Sequence, residues 1–438
     1  NAAGLRVSAD GRRLAWLGRP SPHEEGLFAT EVRVTDLRTG KATPVGTPRW
    51  GVSACAFSPT HPDRLAVVAR RIPGVYPSIA DLFLLEGGRC RNLSRRHDVM
   101  TDGPLDWNAD GTRLRLFVYR GVNRDLVEFD LAGRMKTLAE GFIASAGYTG
   151  SAPSHAIAAT PETPPRLLDL AHPEPASDYG CRPQRVFRWE YDGRALCGVL
   201  ALPRGKPPHP LVLYVHGGPL SPVNNAATRI EHIQPLAAAG LAVFVPAFRG
   251  TMGFGQEFIR ANVGDLAFGP WRDMESGVDA LIRAGLADAR RLAVMGVSYG
   301  GYMALFIPTQ SRRFRAAVAI NSIYDLAADA GTTHRGPFAA VYLRAFPWEA
   351  PAEYLRQCAA GHVRRLATPT LLLHGEADTN TPFGNARLAA YALRNLRREF
   401  RFKSYAGEGH AISRPQNRLD VIREAVEWLD AHLRPDCR

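Results

Sequence analysis

A serine set among glycines, a carboxylate just past a strand end and a histidine in a glycine-flanked loop are the residues of this chain that could do chemistry together. Ser298 lies in Met295-Gly296-Val297-Ser298-Tyr299-Gly300-Gly301, directly after the apolar run Arg291 to Val294 and before a helical run from Tyr302 to Ile307. A nucleophile elbow requires this strand, turn and helix context. The tight turn holds the serine in a strained backbone conformation, its hydroxyl projects above the sheet edge, and small neighbours permit the close approach. A structural turn could carry the same bare G-x-S-x-G; the flanking strand and helix are what favour a nucleophile.

A serine hydroxyl is a poor nucleophile until a base takes its proton, and that base needs a carboxylate to fix its tautomer and stabilise the imidazolium. Downstream, Leu371-Leu372-Leu373-His374-Gly375-Glu376-Ala377-Asp378 reads as a buried strand entering a loop. This puts Asp378 at the carboxyl end of a sheet, where open α/β folds build their sites. Glu376 is a rival acid, and His374, next to the strand end, reads as a packed histidine. After one more strand, Phe400 to Tyr405, the loop Ala406-Gly407-Glu408-Gly409 presents His410 before the last helix. The order Ser298, Asp378, His410 is that of α/β-hydrolases and differs from the orders of chymotrypsin and subtilisin. A tetrahedral intermediate also needs oxyanion donors. The N–H of Tyr299 comes with the elbow, and His216-Gly217-Gly218-Pro219, directly after Val215, offers Gly218 as the second.

These residues need a sheet to hold them. From about Pro183 the strands Leu211 to Val215 and Leu241 to Val245 are apolar on both faces, as a helix-covered parallel sheet requires. They alternate with helical stretches at Ile230 to Ala239, Trp271 to Ala284, Pro382 to Leu396 and Leu419 to Leu433. The expected fold of residues 181–438 is therefore an α/β-hydrolase, with a doubly wound, mostly parallel sheet. Residues 1–180 read differently. Ser8-Ala9-Asp10-Gly11, Phe57-Ser58-Pro59 with Asp63, and Trp107-Asn108-Ala109-Asp110-Gly111 each precede a short apolar strand, and Pro153 to Ala158 is a weaker fourth unit. The equivalent aspartates recur about 50 residues apart, a spacing suited to four-stranded propeller blades. An all-β, partial or reduced β-propeller of three to four blades is expected, followed by a proline-rich linker from Pro161 to Pro183.

Composition excludes several classes. A chain of 438 residues with 45% hydrophobic and 22% charged residues is globular and long enough for two cores. No run approaches the eighteen or so apolar residues of a membrane span. The net charge of +12 comes from scattered arginines, the only lysines being Lys41, Lys136, Lys206 and Lys403. Dispersed charge reads as solvated surface, not as a nucleic-acid interface. Six cysteines form no C-x-x-C pair, so neither a metal nor another cofactor is expected, and free thiols suit a reducing compartment. No charged n-region with an apolar h-region is visible from Asn1 onward, and a cytoplasmic location is expected.

Jointly, His216 to Pro219, Phe248-Arg249-Gly250-Thr251-Met252-Gly253-Phe254-Gly255, Gly296 to Tyr302, His374-Gly375 to Asp378 with Pro382, and Gly407 to His410 resemble the prolyl oligopeptidase family of serine peptidases. The acylaminoacyl-peptidase and dipeptidyl-peptidase branches are the most similar. Alone, Gly250-x-x-Gly253-x-Gly255 has the glycine content of a nucleotide loop, but it lacks both the G-x-G-x-x-G order and a lysine. The resemblance implies a propeller that caps the hydrolase; about 180 residues allow three or four blades instead of the usual seven, so the chain is a fragment or the cap is reduced. It implies that His216 stands where prolyl oligopeptidases and dipeptidyl peptidases have an oxyanion-donating tyrosine, which favours the acylaminoacyl-peptidase branch. It also implies that Asn380 grips a substrate carbonyl. Glu24-Glu25, in contrast, is read as a solvated hairpin and not as an amino-terminus clamp. The expected activity is hydrolysis of amide bonds in short peptides or acylated amino acids; the alternative is a carboxylesterase or small-amide hydrolase using the same residues. The expected partner is the substrate alone, with no nucleic acid and no membrane, and a homo-oligomer left open.

Overall fold

The computed structural model of the chain describes residues 2–19, 29–149, 152–169, 180–226 and 232–434. Glu24 and Glu25 lie outside the described residues. The chain forms two compact units, Asn1–Tyr179 with Met252–Arg260, and Gly180–Thr251 with Ala261–Arg438. Among the described residues no helix is long and apolar enough to cross a membrane.

The first unit is built of antiparallel meanders. Ala2–Val7, Arg13–Gly18, Glu31–Asp36 and Ala42–Val45 make one four-stranded sheet, and Ala54–Phe57, Leu65–Arg70, Ala80–Glu86 and Arg89–Asn92 a second. Met100–Trp107, Arg113–Arg120, Asn123–Asp130 and Met135–Ala139 form a third meander. The three strands Phe142–Thr149, Ala152–Ala159 and Arg166–Asp169 join its sheet through a single parallel pairing of Arg124 with Phe142. These are propeller blades, and their tight turns are where the sequence repeat places them. In the first, Ser8 Oγ accepts the Arg13 N–H and Asp10 accepts the Arg12 N–H. In the third, Asn108 accepts from Thr112 and Arg113, and Asp110 accepts the Thr112 N–H, so short polar side chains at equivalent positions close both turns. Alternation does the packing. Along Leu65–Arg70, Ala66 and Val68 enter one core with Leu114, Leu116 and Phe129, while Leu65, Val67 and Ala69 enter another with Ala15, Val32 and Trp50.

Two features depart from the sequence reading. The proline-rich stretch Pro161 to Pro183 is not all linker, because Arg166–Asp169 pairs with Ala152–Ala159. Second, Met252–Arg260, which lies within the expected hydrolase segment, groups with the first unit. There the Gly121 N–H donates to the Gly253 carbonyl at 2.7 Å, and the Ile79 N–H to Gln256 Oε1 at 2.8 Å. Gly253 is required by this approach, since a Cβ on it would lie 2.4 Å from the Gly121 carbonyl oxygen.

The second unit holds one eight-stranded sheet. Its strands are β1 (Gln184–Tyr191), β2 (Arg194–Ala201), β3 (His209–Val215), β4 (Ala242–Pro246), β5 (Ala287–Val297), β6 (Phe314–Ile320), β7 (Thr370–Gly375) and β8 (Phe400–Tyr405). They lie in the order β1-β2-β4-β3-β5-β6-β7-β8, parallel from β4 onward. The helices α1 (Ile233–Ala238), α2 (Phe268–Arg283), α3 (Tyr299–Gln310), α4 (Leu326–Thr332), α5 (Gly384–Asn395) and α6 (Pro415–Leu433) connect or follow them. This is the α/β-hydrolase arrangement. Strands β3, β4 and β7 are buried throughout apart from Pro210, which explains their apolar composition. Helix α3 is buried from Tyr299 to Thr309, so the element behind Ser298 is wrapped on all sides and fixed in place.

Candidate active site

Ser298 sits between β5 and α3 with φ 61° and ψ −121°, a backbone conformation rare for a residue with a side chain. The surrounding close packing enforces it. A Cβ on Gly300 would lie 1.9 Å from the Val215 carbonyl oxygen, so only glycine lets the elbow approach the end of β3. The Ser298 N–H donates to the Ile320 carbonyl at 3.0 Å, which ties the turn to β6 as well. The resulting strain is worth roughly 1–3 kcal/mol and is held by these neighbours.

The structure brings Ser298, His410 and Asp378 together. Ser298 Oγ is 3.0 Å from His410 Nε2, and His410 Nδ1 is 2.8 Å from Asp378 Oδ2. A carboxylate can only accept, so Nδ1 carries the proton and the Nε2 lone pair faces the serine. Asp378 is buried; burial alone would raise its pKa, yet the neighbouring His374 imidazole and the hydrogen bonds with His410 and Thr381 hold it well below the usual carboxylate range. Its Oδ1 accepts from the Asn380 and Thr381 N–H groups, at 2.8 and 3.0 Å. The rival acid is elsewhere: Glu376 is exposed and accepts a hydrogen bond from Ser404 Oγ. His374 is fully buried, 2.8 Å from the Thr381 carbonyl and 3.5 Å from Asp378 Oδ2, as a packed histidine beside the acid.

The groups expected to face an oxyanion are also held in place. The phenol of Tyr299 is buried and donates to the Leu266 carbonyl, which leaves the backbone N–H as the group that residue can offer a substrate. Gly217 packs beside the nucleophile, so that a methyl there would sit 3.5 Å from Ser298 Cβ; the Gly217–Gly218 peptide is therefore adjacent to the serine. His216 is a peg. Its Nδ1 donates to the Gly217 carbonyl, and its Nε2 accepts from Thr251 Oγ1, which in turn accepts the Phe248 N–H. The ring stacks on Phe248, which stacks on Tyr299. With both nitrogens engaged, His216 fixes the loop and does not point a donor at an oxyanion.

Burial pushes the His216 imidazole down to about 4, despite the Gly217 carbonyl. The ordinary value is about 6.5. The native state keeps His216 neutral while the unfolded chain takes up a proton, so stability is fully present above pH 6.5 and declines as pH falls toward 4. That loss is on the order of 3 kcal/mol. NMR titration of the histidine rings is expected to show His216 titrating near 4; a midpoint near 6.5 would mean a solvated ring and an unfixed oxyanion loop.

Asn380 is half-buried, and its backbone is engaged: its N–H reaches Asp378, and its carbonyl accepts from Thr333 Oγ1 at 2.7 Å. Thr381 beside Asp378 and Asn321 at the end of β6, both absent from the sequence reading, complete the site with Thr251 behind His216, which the sequence offered only as part of the run Phe248 to Gly255. Only Asn321 directly follows an apolar run; Thr381 ends the polar stretch Asp378-Thr379-Asn380, and Thr251 follows Arg249-Gly250.

Residues 227–436 match the family model described as Prolyl oligopeptidase family. Over that segment, which holds Ser298, Asp378 and His410, the chain is similar to this family. Among similar proteins, an uncharacterized peptidase of Bacillus subtilis (strain 168) is 32% identical over 259 residues, covering 57% of this chain and 39% of that protein. The acylamino-acid-releasing enzyme of Homo sapiens is 28% identical over 331 residues, 71% of this chain and 43% of the human protein. The chain thus spans about two fifths of the length of these relatives. A Mycobacterium tuberculosis puromycin-hydrolyzing peptidase superposes with a TM-score of 0.81 at 20% identity, over 99% of this chain and 70% of that one. For a Pyrococcus horikoshii acylaminoacyl peptidase the TM-score is 0.71 at 16% identity, over 99% and 89%. At such identities the structural likeness is one of fold.

Proposed function

We propose that this chain is a serine peptidase of the acylaminoacyl-peptidase type, hydrolysing amide bonds of short peptides or acylated amino acids through an acyl-enzyme at Ser298. The observation that carries the reading is the unbroken line from Ser298 Oγ through His410 to buried Asp378. As Ser298 Oγ bonds to the substrate carbonyl carbon, His410 Nε2 takes its proton, and the C=O electron pair moves onto oxygen. The N–H groups of Tyr299 and Gly218 receive that oxyanion, and Asp378 stabilises the imidazolium. The Nε2 proton passes to the leaving nitrogen as the C–N bond breaks. Water then repeats the sequence, giving its proton to His410 and its oxygen to the acyl carbon, until Ser298 leaves reprotonated. The catalytic set acts without a metal or other cofactor in this reading, in which a cytoplasmic enzyme meets peptide-like substrates and neither nucleic acid nor membrane. Comparative kinetics on acyl-aminoacyl anilides and on simple esters tests it: kcat/KM for the anilide is expected to respond to the acyl-amino acid, whereas an enzyme that turns over only esters would be the rival carboxylesterase.

Asn380 separates the two activities. An activated ester needs only Ser298, His410 and the oxyanion donors, whereas a peptide must also be held in register, and such remote binding orients the reacting carbonyl. If the Asn380 amide donates to a substrate carbonyl, Asn380→Ala lowers kcat/KM for peptides by about 1–3 kcal/mol and leaves a small activated ester nearly unchanged. Measuring both on one preparation cancels any loss of folded protein. Equal losses on both would reduce Asn380 to a support of the Asp378 loop.

A further inference from the structure

Residues 320 and 321, at the end of β6, touch the supports of all three members of the line. The Ile320 carbonyl accepts from the Ser298 N–H at 3.0 Å. Asn321 is buried, and its side-chain Nδ2 donates to the His410 carbonyl at 2.6 Å while Oδ1 accepts from the Gly375 N–H at 2.9 Å. Its backbone N–H donates to Leu373, and its carbonyl lies 2.8 Å from Thr381 Oγ1, the hydroxyl that also reaches Asp378. One amide therefore bridges the strand that leads into the acid loop and the loop that carries the base.

The chemistry of that bridge is selective. Its two partners are a carbonyl and an N–H, so the side chain must present a donor on one side and an acceptor on the other, in one orientation. An amide does this; a carboxylate would set an acceptor against the His410 carbonyl, and an aliphatic group would leave both buried partners unpaired. The backbone adds a second condition. Asn321 has φ 44°, in the left-handed region that asparagine tolerates better than most residues, and the longer glutamine would not fit the same span.

We infer that Asn321 is a positioning residue that sets the separation of Asp378 and His410, and with it the reach of His410 toward Ser298. The inference rests on the proposed roles of those three residues. Because the imidazole is placed through the backbone of its own loop, release of the His410 carbonyl lets the ring drift from the serine, and a misplacement of about 1 Å can cost on the order of a hundredfold in rate.

The test compares Asn321→Gly and Asn321→Asp with wild type. Glycine keeps the left-handed backbone and the bonds of the residue 321 N–H and carbonyl, and removes only the amide; aspartate keeps the shape and reverses the polarity toward His410. For both, kcat on an acyl-aminoacyl anilide is expected to fall about 10- to 100-fold with KM within about threefold of wild type. Thermal unfolding, read on the same samples, establishes that the variants are folded. A folded Asn321→Gly with kcat within about threefold of wild type overturns the inference, as does a loss carried by KM alone. Should Asn321→Gly fail to fold, Asn321→Asp decides by the same criteria. Labelling of wild type by a fluorophosphonate keeps the underlying reading separate: absence of an adduct on Ser298 defeats the catalytic assignment, whereas an intact adduct with unimpaired Asn321 variants defeats only the role of Asn321.

Discussion

Replacing Ser298 with alanine is expected to lower kcat on amide substrates by about 10^4- to 10^6-fold while the protein stays folded. The fold survives because alanine keeps the Cβ and meets the same φ of 61° that serine already occupies, so the elbow's strain is unchanged. The bonds that hold the turn, from the Ser298 N–H to Ile320 and from the Tyr302 N–H to the carbonyl of residue 298, are backbone bonds and are retained. Only the nucleophile is lost. Any activity that remains comes from the oxyanion donors and substrate positioning. A folded variant that kept more than about a tenth of wild-type kcat would have lost under about 1.4 kcal/mol of barrier lowering, which is incompatible with a covalent role for this oxygen.

The second large effect is expected at the acid. Asp378→Asn should reduce kcat by about 10^4-fold, whereas Glu376→Gln should stay within about twofold of wild type. The reason is tautomeric. An asparagine at 378 can still accept from the Asn380 and Thr381 N–H groups through its oxygen. Its NH2 then faces His410 Nδ1, which must become the acceptor, and the ring proton moves to Nε2. That nitrogen lies 3.0 Å from Ser298 Oγ and can no longer take the serine proton. Glu376 is exposed and bonded to Ser404, so neutralising it changes nothing at the imidazole. Steady-state kinetics of the two variants decides the matter; the reverse ranking would transfer the acid to Glu376.

What could be read in the sequence and what could not follows from how local each signal is. Ser298, Asp378 and His410 each sit in a short run whose own residues specify a strand end and a turn, so their places at one sheet edge could be anticipated from order alone. Asn321, Thr381 and Thr251 could not. None has a local signal that names its partner, which is fixed only when β6 pairs with β7, or when the loop after β4 meets the loop after β3. The same holds for the first unit. The Asp-Gly turns betray the blades because the turn chemistry is local, but Arg166–Asp169 becomes a strand only by pairing with Ala152–Ala159. The glycines of Met252–Arg260 serve a backbone approach whose partners are remote, with Gln256 bonded to Ile79 across 177 residues of sequence. Nothing within the segment announces that.

In the proposed reading, amide hydrolysis by this chain passes through a covalent intermediate on Ser298. The most direct measurement is titration with a fluorophosphonate, following adduct formation by peptide mass spectrometry and anilide hydrolysis in the same samples. A single adduct is expected, on the peptide containing Ser298, with anilide hydrolysis lost in proportion to labelling. Anilide hydrolysis that survives complete labelling, or an adduct at another residue that accompanies the loss, would contradict it.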